Sequence, residues 1–297
     1  FGHDERVQNR VKTILDQLTP LGLKFEKNIS ESKDTLFLKE HHMVGLSEDY
    51  CENRKKENGI YTIDLSYPSY SPFMKYAESD SARKALRFMY WNRASDKNLS
   101  ILDSLILIRN QLAEILDYPS YADYTTEILM TENANRVWEF EKSLRELIMP
   151  KALDDYNKML EIKSHETGKY ESVIESWEYD RYEHLLKLKQ FRLDSKKISE
   201  YFELNSVING LIEICNQLFG IKFSQVDNPS VWHEDVTMYE VYEEADSILI
   251  GRFYLDLFPR ANKYSHAAAF SVTMGKLLDD EYQIPATALV CNFPPPQ

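Results

Sequence analysis

The chain has 297 residues, enough for one large domain or two modest ones, and a 43% hydrophobic content that excludes a disordered protein. Its 48 acidic and 35 basic side chains give a net charge of −13, which repels the phosphates of nucleic acids and of anionic membranes. Nucleic acid and membrane are therefore not expected as partners.

The first 220 residues are predicted to form helix after helix. Apolar residues recur at three- and four-residue steps over 101–116, the spacing of an amphipathic helix. A second such stripe over 137–147 follows a suitable N-cap at Asn133 or Asn135. Further stripes cover 177–188 and 207–218, and the last ends at Gly220, a favourable helix C-terminus. One β-like stretch, 60–65, interrupts the helices and closes at Pro68.

Four strand-like runs follow a turn at 227–229; they cover 236–242, 248–258, 264–272 and 286–293. The first two links between them are short, so antiparallel pairing is expected there. The third link is predicted to be a longer loop carrying Gly275, Asp279 and Asp280. Three prolines stop the last run at Phe293. The predicted fold class is mainly α with a small antiparallel β-sheet.

The third run has two unlike faces. Period-two alternation places larger side chains on one face and only Ser and Ala on the other. The large face holds Tyr264, His266, Ala268, Phe270 and Val272, and the small face holds Ser265, Ala267, Ala269 and Ser271. A face of Ser and Ala lets another backbone approach closely, either in a tight internal contact or in a bound peptide, and the sequence favours the internal contact.

The cysteines and the chain ends bear on compartment and completeness. Cys51, Cys215 and Cys291 form no CxxC pair and no disulfide framework, which is typical of a reducing cytoplasm. Cys215 and Cys291 lie in apolar stripes and are predicted to be small core residues. The chain lacks an initiator Met and a signal-peptide core, and it ends directly after a predicted core strand. We therefore expect a piece of a longer protein.

A search for catalytic motifs finds no complete one. A zinc peptidase needs a His-Glu-x-x-His helix or an equivalent ligand set, and no two of the seven histidines are four residues apart. His233 and Glu234 begin the motif, but Thr237 occupies the position of the second ligand. The adjacent His41 and His42 are expected to point to different sides and to act as surface or capping residues. Nucleophile-elbow and phosphate-loop motifs are also absent.

Several segments nevertheless resemble the thimet oligopeptidase family of zinc metallopeptidases. The strongest are Trp-His-Glu-Asp-Val at 232–236, Gly-Arg-Phe-Tyr-Leu-Asp-Leu-Phe-Pro-Arg at 251–260 and Lys-Tyr-Ser-His-Ala at 263–267. Looser similarity covers 46–49, 67–70, 123–124 and 201–220. Residues 288–293 resemble the strand that the family places shortly before its zinc helix.

The resemblance implies part of a two-lobed, mostly helical enzyme that cleaves short peptides with a zinc-bound water. Residues 1–220 would be its helical region, and 221–297 the start of its catalytic region. The strand matching 263–267 pairs with the substrate backbone in the family, which makes Tyr264, Ser265, His266 and Ala267 candidate substrate-binding residues. His266 is not a family zinc ligand. The family's metal ligands and catalytic Glu would lie beyond Gln297, so zinc is expected in the complete enzyme and none in this chain, which alone should be inactive.

Two further hypotheses stand beside the oligopeptidase fragment. One is a naturally truncated, non-catalytic peptide-binding or interaction protein of the same fold, and the other is an unrelated helical scaffold, which the signature at 232–270 disfavours. Reading the gene past Gln297 distinguishes the oligopeptidase fragment from the truncated interaction protein. A His-Glu-x-x-His helix there supports the enzyme, and a stop codon supports the truncated protein. Endopeptidase and dipeptidyl carboxypeptidase activity both stay open, as does the oligomeric state.

Overall fold

The computed structural model describes residues 4–193, 195–260, 262–264, 266–279 and 281–293. Its α-helices are α1 (Glu5–Ser30), α2 (Glu48–Glu52), α3 (Tyr67–Tyr76), α4 (Asp80–Trp91), α5 (Ser95–Ile115), α6 (Tyr121–Thr126), α7 (Ala134–Thr167), α8 (Tyr179–Phe191), α9 (Ser195–Ser199) and α10 (Leu204–Phe219). Its strands are β1 (Thr35–Leu38), β2 (Tyr61–Asp64), β3 (Ile221–Gln225), β4 (Thr237–Glu243), β5 (Leu249–Asp256), β6 (Ala268–Thr273), β7 (Lys276–Leu278), β8 (Glu281–Gln283) and β9 (Ala286–Val290). The mainly α fold with small sheets is confirmed.

The chain divides into two compact units. One comprises Phe1–Leu65 with Met74–Leu186, and the other comprises Ser66–Phe73 with Lys187–Gln297. The first, which we call the helical unit, contains the β1–β2 pair, and the second, the sheet unit, contains the five-stranded sheet. The assignment of 1–220 and 221–297 to a helical and a catalytic region stays a prediction.

Local signals located α5, α7 and α10 correctly. The stripe at 101–116 lies in α5, and the one at 137–147 lies in α7, whose N-cap is Asn133; its Oδ1 accepts a 3.0 Å hydrogen bond from Arg136 N. Helix α10 ends at Gly220, whose left-handed φ of 62° glycine adopts readily because it has no Cβ. The stretch at 60–65 forms β2, but its antiparallel partner β1 was not predicted, and Pro68 lies inside α3.

The sheet of the second unit has the order β3-β4-β5-β9-β6. Strands β4 and β5 are antiparallel, as predicted. The predicted pairing of β5 with the next run is wrong, because β9 lies between β5 and β6, parallel to the first and antiparallel to the second. A short link permits hairpin pairing but does not require it. The predicted long loop before β9 contains the β7–β8 hairpin, and Asp280 lies outside the described residues.

One face of this sheet carries an apolar core. Leu255, Leu257 and Cys291 are buried there, with Leu204 and Ile208 of α10 packed against them. Cys291 is thus a core residue as predicted, whereas Cys215 is only half-buried. Within the described residues, no helix is long and apolar enough to cross a membrane.

Candidate peptide-binding edge of the sheet

Strand β6 is an outer strand of the five-stranded sheet. Its one strand neighbour in the described part of the chain is β9, with Ala268 opposite Val290 and Phe270 opposite Ala288. The pairing is irregular between Ser271 and Thr273. An outer strand presents one row of backbone N–H and C=O groups that no neighbouring strand uses, and an extended peptide can add to such a row.

The predicted substrate-binding residues lie directly before this strand. The predicted start of the strand at Tyr264 is wrong, because β6 begins at Ala268. Asn262 adopts a left-handed φ of 63°, so the chain is still turning two residues before Tyr264. Ser265 lies outside the described residues, and Tyr264, His266 and Ala267 are all exposed.

The small side chains expected on one face of this run are open. Ala267, Ala269 and Ser271 are exposed, so the tight internal contact favoured from the sequence is wrong for these three residues. Strand register places Ala269 opposite Leu289, on the same face as the α10-covered core, but at the outer edge of that face. The alternative interpretation of the small face is the close approach of a bound peptide, and the exposure of these residues permits it.

An aromatic group surrounds His266. Tyr67 Oη lies 3.1 Å from His266 Nδ1, and the two rings meet edge to face with centroids 5.3 Å apart. The ring of Tyr264 contacts both His266 and Phe270, at centroid distances of 5.7 and 5.4 Å. These contacts fix the ring of His266 beside the outer strand and leave it accessible.

A buried carboxylate at the end of β5 anchors the loop that leads to this edge. Arg260 donates to both oxygens of Asp256, at 2.6 and 2.8 Å, and Trp232 Nε1 donates to Oδ2 at 2.9 Å. Burial of Asp256 opposes ionisation, but the hydrogen bonds from Arg260, Lys263 and Trp232 outweigh it and hold the pKa of Asp256 far below its usual value. Asp256 is therefore a permanent anion at neutral pH.

Lys263 completes this charge cluster. Its Nζ lies 2.8 Å from Asp256 Oδ1 and donates to the backbone carbonyls of Asp256, Phe258 and Cys291 at 2.9, 2.5 and 2.6 Å. Because an ammonium has three N–H groups, these acceptors commit all of them. Lys263 thereby ties together the end of β5, the following loop and the residue after β9, one position before Tyr264.

Asn292 also holds the segment from Tyr264 to His266. Its Nδ2 donates to the carbonyl of Tyr264 at 3.0 Å and to that of His266 at 2.9 Å. Sequence reasoning quoted Asp256, Arg260 and Lys263 only within a family signature and gave Asn292 no role. A signal for Asn292 existed, since an amide side chain before three prolines can supply donors that the backbone there lacks.

The described histidines lie apart from one another, except for one pair. His233 precedes β4 in a turn, where Nδ1 accepts from Asp235 N at 3.2 Å, so the incomplete His-Glu motif is not on a helix. The rings of His41 and His42 are 3.9 Å apart, so the prediction that they point to different sides is wrong, although His42 does cap its short turn by accepting from Lys39 N. Among the described residues, no group of three or more His, Cys, Asp or Glu side chains could hold a metal ion.

Comparison with known proteins assigns the chain to a family. Residues 73–297 match the sequence profile of Peptidase family M3, and the chain belongs to that family. It is 31% identical to a thimet-like oligopeptidase of Dictyostelium discoideum, with 97% of this chain and 45% of that protein covered. Identity is 30% to saccharolysin of Saccharomyces cerevisiae and 28% to oligopeptidase A of Escherichia coli, which the chain covers to 43% and 45% of their length. The chain thus spans less than half of each of these relatives.

Proposed function

We propose that this chain is part of a zinc-dependent oligopeptidase and that its role is to bind the extended backbone of short peptides along residues 264–267 and β6. The observation that carries the proposal is the outer position of β6, with Ala267, Ala269 and Ser271 exposed beside it. Membership in a peptidase family supports peptide as the ligand.

Strand addition explains how such an edge would recognise many peptides. Backbone hydrogen bonds do not depend on the peptide's side chains, so they hold the chain in register without selecting its sequence. Neighbouring strands lie about 4.8 Å apart, and side chains on one face of such a pair lie directly beside each other, so small residues at the edge leave room for larger side chains of the peptide. Tyr264 and His266 would contact one side chain of the peptide and supply limited selectivity.

The zinc that the family implies does not fit the residues described here. They contain no cluster of three ligands, and the sequence contains no His-Glu-x-x-His. When bound, zinc would supply an activated water. We infer that its ligands and the catalytic Glu belong to another part of the complete protein, and we assign no step of hydrolysis to this chain. The 297 residues alone should therefore hold no stoichiometric zinc and cleave no peptide.

The compartment proposed is a reducing cytoplasm. Cys51, Cys215 and Cys291 are free, and Cys291 is buried in the sheet unit, which suits a protein that never needs disulfide support. The net charge of −13 favours neither nucleic acid nor an anionic membrane as a partner.

Chelation of the complete protein tests this function. A quenched fluorogenic peptide of about ten residues should be cleaved, cleavage should stop with 1,10-phenanthroline, and added zinc should restore it. The isolated chain is the matched sample and should show neither cleavage nor bound zinc. Cleavage that survives metal removal, or stoichiometric zinc in the isolated chain, would contradict the proposal.

A further inference from the structure

Asn292 occupies the point at which the β6–β9 ladder has to stop. Strand β9 ends at Val290, which pairs with Ala268. Continuing that register by two residues places Asn292 opposite His266. Phe293 and three prolines follow, and proline has no N–H to donate, so backbone pairing cannot extend beyond this point.

The side chain of Asn292 supplies two donors at this point. Its amide has two N–H groups, and the carbonyls of Tyr264 and His266 accept them at 3.0 and 2.9 Å. These carbonyls belong to residues two positions apart in the segment that leads into β6. One side chain thus holds both carbonyls beside the end of β9.

We propose that Asn292 is a positioning residue for peptide binding: it fixes the backbone at Tyr264 and His266 beside the end of β9, so that the segment leading into the outer strand is held in place for a peptide. The inference rests on the proposed function of that edge. Lys263 fixes the start of the same segment through the carbonyls of Phe258 and Cys291, so Asn292 is the second of two anchors. Asn292 itself is half-buried and acts through the segment rather than on the peptide.

Asn292→Asp in the complete protein is the test, since it keeps the shape and removes both donors. The control Asn228→Asp makes the same chemical change at an exposed turn position, whose left-handed φ of 50° Asp also tolerates. For a fluorogenic peptide, Asn292→Asp should lower kcat/KM about tenfold, mainly by raising KM, with zinc content unchanged. Asn228→Asp should match the wild type.

N-methylated peptides separate positioning from a merely structural role. Methylating each peptide amide in turn removes its N–H donor. In the wild type, at least one of these methylations should raise KM, because the N–H that it removes pairs with the edge. That penalty should shrink in Asn292→Asp, whereas general damage to the fold would leave it unchanged. If Asn292→Asp does not fold, Asn292→Ala removes the donors without adding charge and is judged by the same measurement.

The outcomes distinguish the two proposals. A wild-type protein that cleaves no peptide contradicts the proposed function. Wild-type cleavage together with an unchanged KM in Asn292→Asp, or an unchanged N-methylation penalty, overturns the role of Asn292 alone.

Discussion

Asp256 and Lys263 form a buried ion pair, with Nζ 2.8 Å from Oδ1 and side chains that are 3% and 2% exposed. Two charges withdrawn from water are stable only if each is well paired and hydrogen-bonded. Asp256 meets this condition with donors from Arg260, Lys263 and Trp232, and Lys263 with three backbone carbonyls. The pair fixes the loop between β5 and β6, and with it the start of the proposed peptide-binding segment.

Asp256→Asn should destabilise the protein by about 3–5 kcal/mol, because it leaves Lys263 and part of Arg260 buried without a counter-charge. Urea denaturation followed by circular dichroism measures the change in the free energy of unfolding. Asp246→Asn is the control. Asp246 lies in the exposed β4–β5 turn, where its Oδ1 accepts from Ile248 N, and an Asn can still accept that bond. We expect less than about 0.5 kcal/mol for the control; equal effects of the two substitutions would contradict a special role for Asp256.

The same pair predicts a pH dependence with a definite sign. The pKa of Asp256 is lowered on folding, so the unfolded state binds the proton more readily and the stabilisation is lost in acid. It should be complete above the unfolded value of about 3.9 and should decline by about 1.4 kcal/mol per pH unit below it. The difference in unfolding free energy between wild type and Asp256→Asn should therefore shrink by about 1 kcal/mol as the pH falls from 4 to 3. A difference that stays constant as the pH falls would show that Asp256 is not the ionised partner.

Two glycines of the helical unit allow backbone strain and steric clash to be measured separately. Gly45 has φ +93°, and a Cβ there would overlap the carbonyl oxygen of Tyr76, whereas Gly59 has φ +72° and open space around it. Gly45→Ala should destabilise by about 3 kcal/mol or more, and Gly59→Ala by about 1 kcal/mol, because only the first adds a clash with rigid backbone. Thermal denaturation of both variants measures the difference; equal losses would contradict the close approach of the Tyr76 carbonyl to Gly45.

Local structure in this chain could be predicted from sequence because its causes are local. The Asn133 cap and the Gly220 terminus depend on one side chain and one left-handed residue, and both occur where expected. The periodicity of α10 predicted the helix but not which residues of its apolar stripe are buried. Leu211 and Leu218 share its apolar stripe, yet both are exposed in the described structure.

Strand order could not be predicted in the same way. The run that became β9 inserts between β5 and β6, a pairing between residues more than 30 positions apart that no short-range pattern specifies. The charge cluster was equally hidden, because Asp256 and Lys263 are two among 83 charged side chains. Their partnership appears only when the loop after β5 turns back toward β9. The resemblance quoted both residues without a role, and in this structure they form an ion pair.

Binding of a peptide along residues 264–267 is best tested by Ala267→Trp in the complete protein. Ala267 is exposed beside the outer strand, so an indole there would occupy the space that a side chain of the bound peptide needs on that face. Ala245→Trp, at an exposed position in the β4–β5 turn, is the matched control. We predict that Ala267→Trp lowers turnover of a short fluorogenic peptide at least about tenfold while zinc content and the control's turnover stay at the wild-type level. Wild-type turnover in Ala267→Trp, with zinc intact, would show that no peptide lies along residues 264–267.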